Sequence, residues 1–193
     1  MKKLDFFFDL SSPYSYLAAT QMLPLAERTG ATVAWRPMVL GAVFKTVGNE
    51  MPARVPHKAR WMGNDLQRWA EHYGVPFRFS SHFPSNAIKA MRLVLVDEKK
   101  AAAVALAGFR AMWADDQDLT QDDVLRQIAA AGGLDPATAL SAIENPEVKE
   151  RLRANTDEAV ARGAFGAPTM LVGDELFWGN DRLHFVEAAL RRK

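Results

Sequence analysis

The first 38 residues constrain this chain most. Residues 3–10, KLDFFFDL, are a short aromatic run that stops at Ser11-Ser12-Pro13. An apolar run of that length bounded by a turn signal reads as a buried strand. Residues 13–29 then space Leu17, Met22, Leu23 and Leu25 as a helix does, and Gly30 follows where a left-handed terminating residue is expected. Pro24 falls inside this pattern and predicts a kink or an early end. Residues 31–38, ATVAWRPM, read as a second strand. Strand, helix and strand in this order imply parallel pairing and a right-handed crossover.

The stretch 41–56, GAVFKTVGNEMPARVP, reads as a long loop punctuated by glycine and proline. Loops of that length in compact domains are often functional. Helical apolar spacing follows over 57–73, 86–98, 100–114, 121–131 and 135–143, with Thr120 and Asp135 as capping residues and Pro136 at a first helical position. A further helix over 146–162 leads to strands at 169–172 and 175–178, joined by a Gly173-Asp174 hairpin turn, and to a last helix over 181–192. Without the central helices the order is β-α-β, then α-β-β-α, with Pro168 directly before the third strand. That is the order of an α/β, thioredoxin-like domain with a large all-helical insertion. The expected division is 1–44 and 146–193 for the outer domain, and 45–145 for the insertion.

Charge and cysteine content narrow the function classes. Lys and Arg number 24 against 23 Asp and Glu, for a net charge of +1, so there is no strong field to gather nucleic acid or an anionic membrane. The chain has no cysteine, which removes disulfides, thiolate metal sites and a cysteine nucleophile together. Met1-Lys2-Lys3 runs straight into the first strand, without the apolar core of a signal peptide, and no apolar stretch approaches membrane-span length. Cytoplasmic residence is the expectation.

Ser12 precedes Pro13 at a helix start, the pattern of an ordinary N-cap. The same geometry also presents free N–H groups and a positive partial charge, which stabilise an anion placed there. Capping alone and anion binding both stay open on these residues. His57, His72, His82 and His184 are isolated and show no metal-ligand spacing. Ala167-Pro168 is either a simple turn or a cis peptide that turns the Ala167 backbone outward for a ligand. Asn180 is placed to cap the last helix, and Ser85 or Asn86 to cap the helix that follows them. Lys45, Asn49, Arg54, Lys58 and Arg60 read as a solvated basic face. Trp61, Trp69, Trp113 and Trp178 read as core or interface residues.

Taken together, FFFDLSSPYSYLAA, WRPMVLGAVFKTVGNEMPARVPHKARWMGNDLQRWA, HFPSNAIKAMR and GAFGAPTMLVGDELFWGNDRL resemble the 2-hydroxychromene-2-carboxylate isomerases. That family stands with the kappa-class glutathione transferases in the DsbA-like branch of the thioredoxin superfamily. DsbA-like relatives carry a Cys-Pro-x-Cys redox pair where this chain has Ser12-Pro13-Tyr14-Ser15. The resemblance therefore implies a thiol supplied by a cosubstrate, glutathione, with no metal. Ser12 is the implied catalytic residue, capping the helix and donating to the glutathione sulfur. Lowering a thiol pKa by one to two units takes only about 1.4–2.7 kcal/mol, which a helix end and a hydroxyl can supply.

The resemblance further implies Ser12, Asn49, Lys58, Ala167, Asn180 and Asp181 as glutathione contacts. It implies Lys45, Arg54 and Asn86 around the substrate, with Arg60 and Tyr16 as further pocket candidates. The implied reaction interconverts 2-hydroxychromene-2-carboxylate and trans-o-hydroxybenzylidenepyruvate through a glutathione thiolate adduct, in aromatic catabolism. The implied partners are glutathione and a small aromatic carboxylate, and the implied assembly is a homodimer. The alternatives are a kappa-type transferase acting on another electrophile and a non-catalytic thioredoxin-like binding module.

Overall fold

Strand β1 (Lys3–Phe8) is buried from Leu4 to Phe8, on both of its faces. Side chains alternate across a strand, so its even and odd positions serve different layers. Leu4, Phe6 and Phe8 enter the main core, while Phe7 enters a smaller cluster with Met38, Val43, Ala159 and Leu171. A strand covered in this way belongs in the middle of a sheet. The sheet order is β2-β1-β3-β4, built with β2 (Thr32–Pro37), β3 (Thr169–Val172) and β4 (Glu175–Trp178). β1 pairs in parallel with β2, Phe6 opposite Trp35, and antiparallel with β3, Phe6 opposite Met170. A computed structural model describes residues 2–192; Met1 and Lys193, the outer bounds of the expected first domain, lie outside the described residues.

Helix α1 (Pro13–Thr29) follows β1 and closes on Gly30, whose φ of 66° lets its N–H reach the Ala26 carbonyl. Of the two outcomes expected at Pro24, the early end does not occur, and the helix runs on to Thr29. Met22 and Leu25 are buried on either side of the proline, and their packing outweighs the lost backbone bond, which costs about 3 kcal/mol. The expected loop after β2 is also corrected: it contains a helix, α2 (Leu40–Val47), then a 3₁₀ turn at Pro52–Arg54. The division expected at residues 44 and 45 falls inside α2.

Helices α3 (Pro56–Tyr73), α4 (Ile88–Val94), α5 (Ala101–Trp113), α6 (Asp122–Ala131) and α7 (Pro136–Ala142) share the main core with the even face of β1. Thr120 does not cap α6. The Asp118 carboxylate takes both the Thr120 N–H and its hydroxyl, at 2.9 and 2.7 Å, and Gln121 stands at the cap position. Asp135 does cap α7, accepting from the Thr138 N–H at 2.9 Å. Helix α8 (Pro146–Ala161) covers the odd face of β1 with α2. The last helix, α9 (Leu183–Arg191), is preceded by a separate 3₁₀ turn at Asn180–Arg182. No helix among the described residues is long and apolar enough to cross a membrane.

Trp113, at the end of α5, is fully buried and stacks on Phe77 with ring centroids 6.2 Å apart. Its indole N–H donates to the Leu10 carbonyl at 2.9 Å, two residues before Ser12. Trp61 and Trp178, by contrast, are 58% and 47% exposed. Replacing Trp113 with alanine removes both packing and bond, and should cost about 3–5 kcal/mol in urea unfolding. Trp113→Phe keeps the ring and strands the Leu10 carbonyl, for a loss of about 1–3 kcal/mol.

Candidate active site

Ser12 is the N-cap of α1. Its Oγ accepts the Ser15 N–H at 3.2 Å, and its carbonyl accepts from Tyr16 N–H at 3.1 Å. Pro13 has no N–H, so Tyr14 N–H is left as the first-turn donor without an acceptor among the described residues. The Ser12 hydroxyl lies 3.5 Å from the Ala167 carbonyl. That distance is the outer limit of a hydrogen bond, so the hydroxyl proton is only loosely committed. Ser12 therefore brings a weakly held donor, beside a free amide, to the positive end of a 17-residue helix. Ser15 does not share this role, because its hydroxyl is fully buried and unpartnered.

Ala167 stands across from Ser12 on the segment entering β3, and the Ala167–Pro168 peptide is cis. The Pro168 carbonyl accepts the Gly179 N–H at 3.1 Å, which binds this segment to the end of β4. Asn49, in the loop after α2, donates its side-chain amide to the Phe165 carbonyl at 2.8 Å. Ser12, Ala167 and Asn49 are thus linked at one end of the sheet.

Asn180 is placed differently from its sequence expectation. Gly179, with φ of 98°, takes the cap position, and Asn180 is the first residue of the turn. This backbone sends the Asn180 side chain inward, 2% exposed, where its Nδ2 has no partner. Such a buried donor is costly to leave empty. Its carbonyl accepts the Tyr73 hydroxyl at 2.9 Å. Asn180 and Asp181 line a cavity of about 250 Å³ with Gln21, Trp69, His72 and Tyr73. Asp181 pairs with Arg182.

Tyr14, two residues after Ser12, donates to Asp65 of α3 at 3.0 Å. Burial and the Asp65 carboxylate push its hydroxyl well above the usual tyrosine range, and the charge of Asp181 adds to this. It remains a protonated donor at neutral pH. The Tyr14–Asp65 contact was not legible in the sequence, since the two residues stand 51 positions apart. The same holds for Tyr73 and Asn180.

Lys45, Arg54, Lys58 and Arg60 are exposed around the 41–60 segment. No hydrogen bond or ion pair among the described residues ties them, or Asn86, to Ser12; Arg54 reaches Glu50 at 4.0 Å. Asn86 Oδ1 accepts from the Ile88 N–H at 3.2 Å, serving the start of α4 from one position before its cap. Tyr16 is no pocket residue: its ring packs with Phe77 and Phe109, and its hydroxyl donates to the Pro76 carbonyl. Ser12→Ala should lower stability by about 1 kcal/mol through the lost cap, and Ser12→Gly by less, as read from thermal unfolding.

The chain matches the DSBA-like thioredoxin domain over residues 3–191. It is 36% identical over 191 residues to the 2-hydroxychromene-2-carboxylate isomerase of Sphingobium xenophagum, covering 98% of each chain. It is 29% identical over 208 residues to glutathione S-transferase kappa 1 of Caenorhabditis elegans, covering 100% of this chain and 92% of that one. A solved 2-hydroxychromene-2-carboxylate isomerase superposes with a TM-score of 0.90 at 31% identity, over 97% of this chain and 94% of that chain. With a mixed four-stranded sheet and full-length kinship of this degree, the chain belongs to the 2-hydroxychromene-2-carboxylate isomerase family of DSBA-like thioredoxin-domain proteins.

Proposed function

We propose that this protein is a glutathione-dependent isomerase interconverting 2-hydroxychromene-2-carboxylate and trans-o-hydroxybenzylidenepyruvate. The observation that carries the reading is the Ser12 hydroxyl, loosely held 3.5 Å from the Ala167 carbonyl at the α1 N-terminus. With no cysteine in the chain, that anion-stabilising end has no sulfur of its own. When bound, glutathione would supply a sulfur nucleophile that adds reversibly to a conjugated carbon and is released unchanged.

The residues present fit the tripeptide. Asp181, half-exposed on the wall of the cavity, offers an acceptor for the amino group of a γ-glutamyl end, and Asn180 stands beside it on the same wall. The Ala167 backbone faces Ser12 and can pair with the middle of an extended peptide, as an added strand does. Asn49 and Lys58 are assigned to the remaining part of the tripeptide.

In this reading the chain orients, excludes water and holds charge. Ser12 Oγ–H and Tyr14 N–H stabilise a thiolate, and the α1 dipole adds to them. Lys45 meets the substrate carboxylate, and Arg54 and Asn86 stand around the rest of the substrate. Residues 1–44 and 146–193 hold most of the glutathione, Asn49 and Lys58 reach it from 45–145, and the helices of that segment shape the acceptor pocket. A homodimer in the cytoplasm completes the proposal.

Turnover should appear as an absorbance change on mixing enzyme, glutathione and hydroxychromene carboxylate, with free thiol constant throughout. Ser12→Ala should lower kcat by about 10²–10³ while the protein stays folded. Wild-type activity in Ser12→Ala would remove the hydroxyl from the chemistry, and steady loss of free thiol would mark a transferase instead. Asp181→Ala should weaken glutathione binding by about tenfold, near 1.4 kcal/mol, more than it slows the chemical step.

A further inference from the structure

Two chain reversals lie side by side above the sheet. β1 passes to α1 through Asp9-Leu10-Ser11-Ser12, and β2 passes to α2 through Met38-Val39. The Met38 N–H donates to the Phe8 carbonyl at 2.8 Å, which keeps the two junctions in register. The Asp9 carboxylate sits between them, with the residue 4% exposed. Its Oδ1 accepts the Ser11 N–H at 2.8 Å and the Ser11 hydroxyl at 2.7 Å. Its Oδ2 accepts the Leu40 N–H at 2.9 Å. Its own carbonyl accepts the Ser12 N–H at 2.9 Å.

Helix α2 has no cap from its own neighbourhood. Val39 holds the cap position, and its side chain has no acceptor. Asp9 provides the acceptor from a different strand, and the two positive helix ends favour the carboxylate there. Burial pushes the Asp9 carboxyl up from the usual range, while the Leu40 and Ser11 donors pull it back. Among the described residues no charged side chain forms an ion pair with it. An asparagine has one acceptor oxygen, so only a carboxylate serves both junctions. Thr156 holds α2 to α8 by accepting the Val39 N–H at 3.0 Å, but nothing in that contact reaches Ser12.

We propose that Asp9 is a positioning residue for the glutathione site: its carboxylate locks the Ser12 turn to the start of α2. It thereby sets where Lys45 and Asn49 stand relative to the Ser12 hydroxyl. This rests on the glutathione reading above. Because the link runs through one backbone N–H, it can be cut in two independent ways. Asp9→Asn removes the second acceptor. Leu40→Pro deletes the N–H itself at a first helical position, where proline is favoured, and Val39 already has the extended backbone (φ −82°, ψ 98°) that a residue before proline needs. Leu40→Ala keeps the N–H and controls for the lost side chain.

The first readout is the glutathione dissociation constant by titration calorimetry, beside thermal melting and circular dichroism. Asp9→Asn and Leu40→Pro should each raise it by about tenfold, with KM for glutathione rising alike and kcat at saturating glutathione changing by less than about threefold. Leu40→Ala should stay within about twofold of wild type. A role confined to stability would lower the melting temperature and leave the affinity of the folded protein unchanged. A folded Leu40→Pro or Asp9→Asn that binds glutathione within about twofold of wild type overturns the clamp and leaves the glutathione reading standing. If Asp9→Asn does not fold, Leu40→Pro decides the matter. Wild-type protein that gives no glutathione binding overturns the glutathione reading, and the clamp with it.

Discussion

Strand β1 is inside the sheet and covered on both faces, and the placement of every other layer follows from that. Phe6 and Phe8 require helices on one side, and Phe7 requires α2 and α8 on the other. A strand so enclosed has no exposed edge, since β2 and β3 pair with it on either side. Its C-terminal end is therefore a fixed point from which α1 departs. Ser12 stands four residues past that end, so the site inherits the rigidity of the most buried strand. Functional groups held on rigid elements need little reorganisation when a ligand arrives.

Much of this was legible in the residues. The aromatic run, the Ser-Pro junction and the Gly173-Asp174 hairpin place β1, α1, β3 and β4, because each signal is local. The signals that misled share a different property. Pro24 predicts a kink or an early end, and the early end is averted where Met22 and Leu25 hold the helix through distant packing. The segment after Met38 lacks a capping side chain, so it reads as loop. Its cap comes from Asp9, 31 positions earlier. Asn180 has the composition of a cap, but the positive φ of Gly179 turns it inward. Local rules failed where a partner came from elsewhere in the chain.

The site was legible in the same uneven way. Ser12, Ala167, Asn180 and Asp181 lie close to strand and helix ends, and the fold brings them to one end of the sheet. The basic residues between 45 and 60 were marked by composition, and the structure leaves them exposed, with no contact that ties them to Ser12. Tyr14 with Asp65, and Tyr73 with the Asn180 carbonyl, could be found only once α3 was seen against α1 and against the Asn180–Arg182 turn. These contacts give the site its shape from the helical block, and residue type alone does not announce them.

The indole of Trp113 has a consequence for anyone recombining relatives of this chain. It delivers a hydrogen bond from the helical block to the Leu10 carbonyl, just ahead of Ser12. The block is therefore no detachable lid. A chimera that joins the outer strands of one protein to the helices of another loses this tie on the Ser12 turn unless the donor helices bring an N–H to the same carbonyl. The match between strands and helices therefore includes that one donor as well as the packing around it.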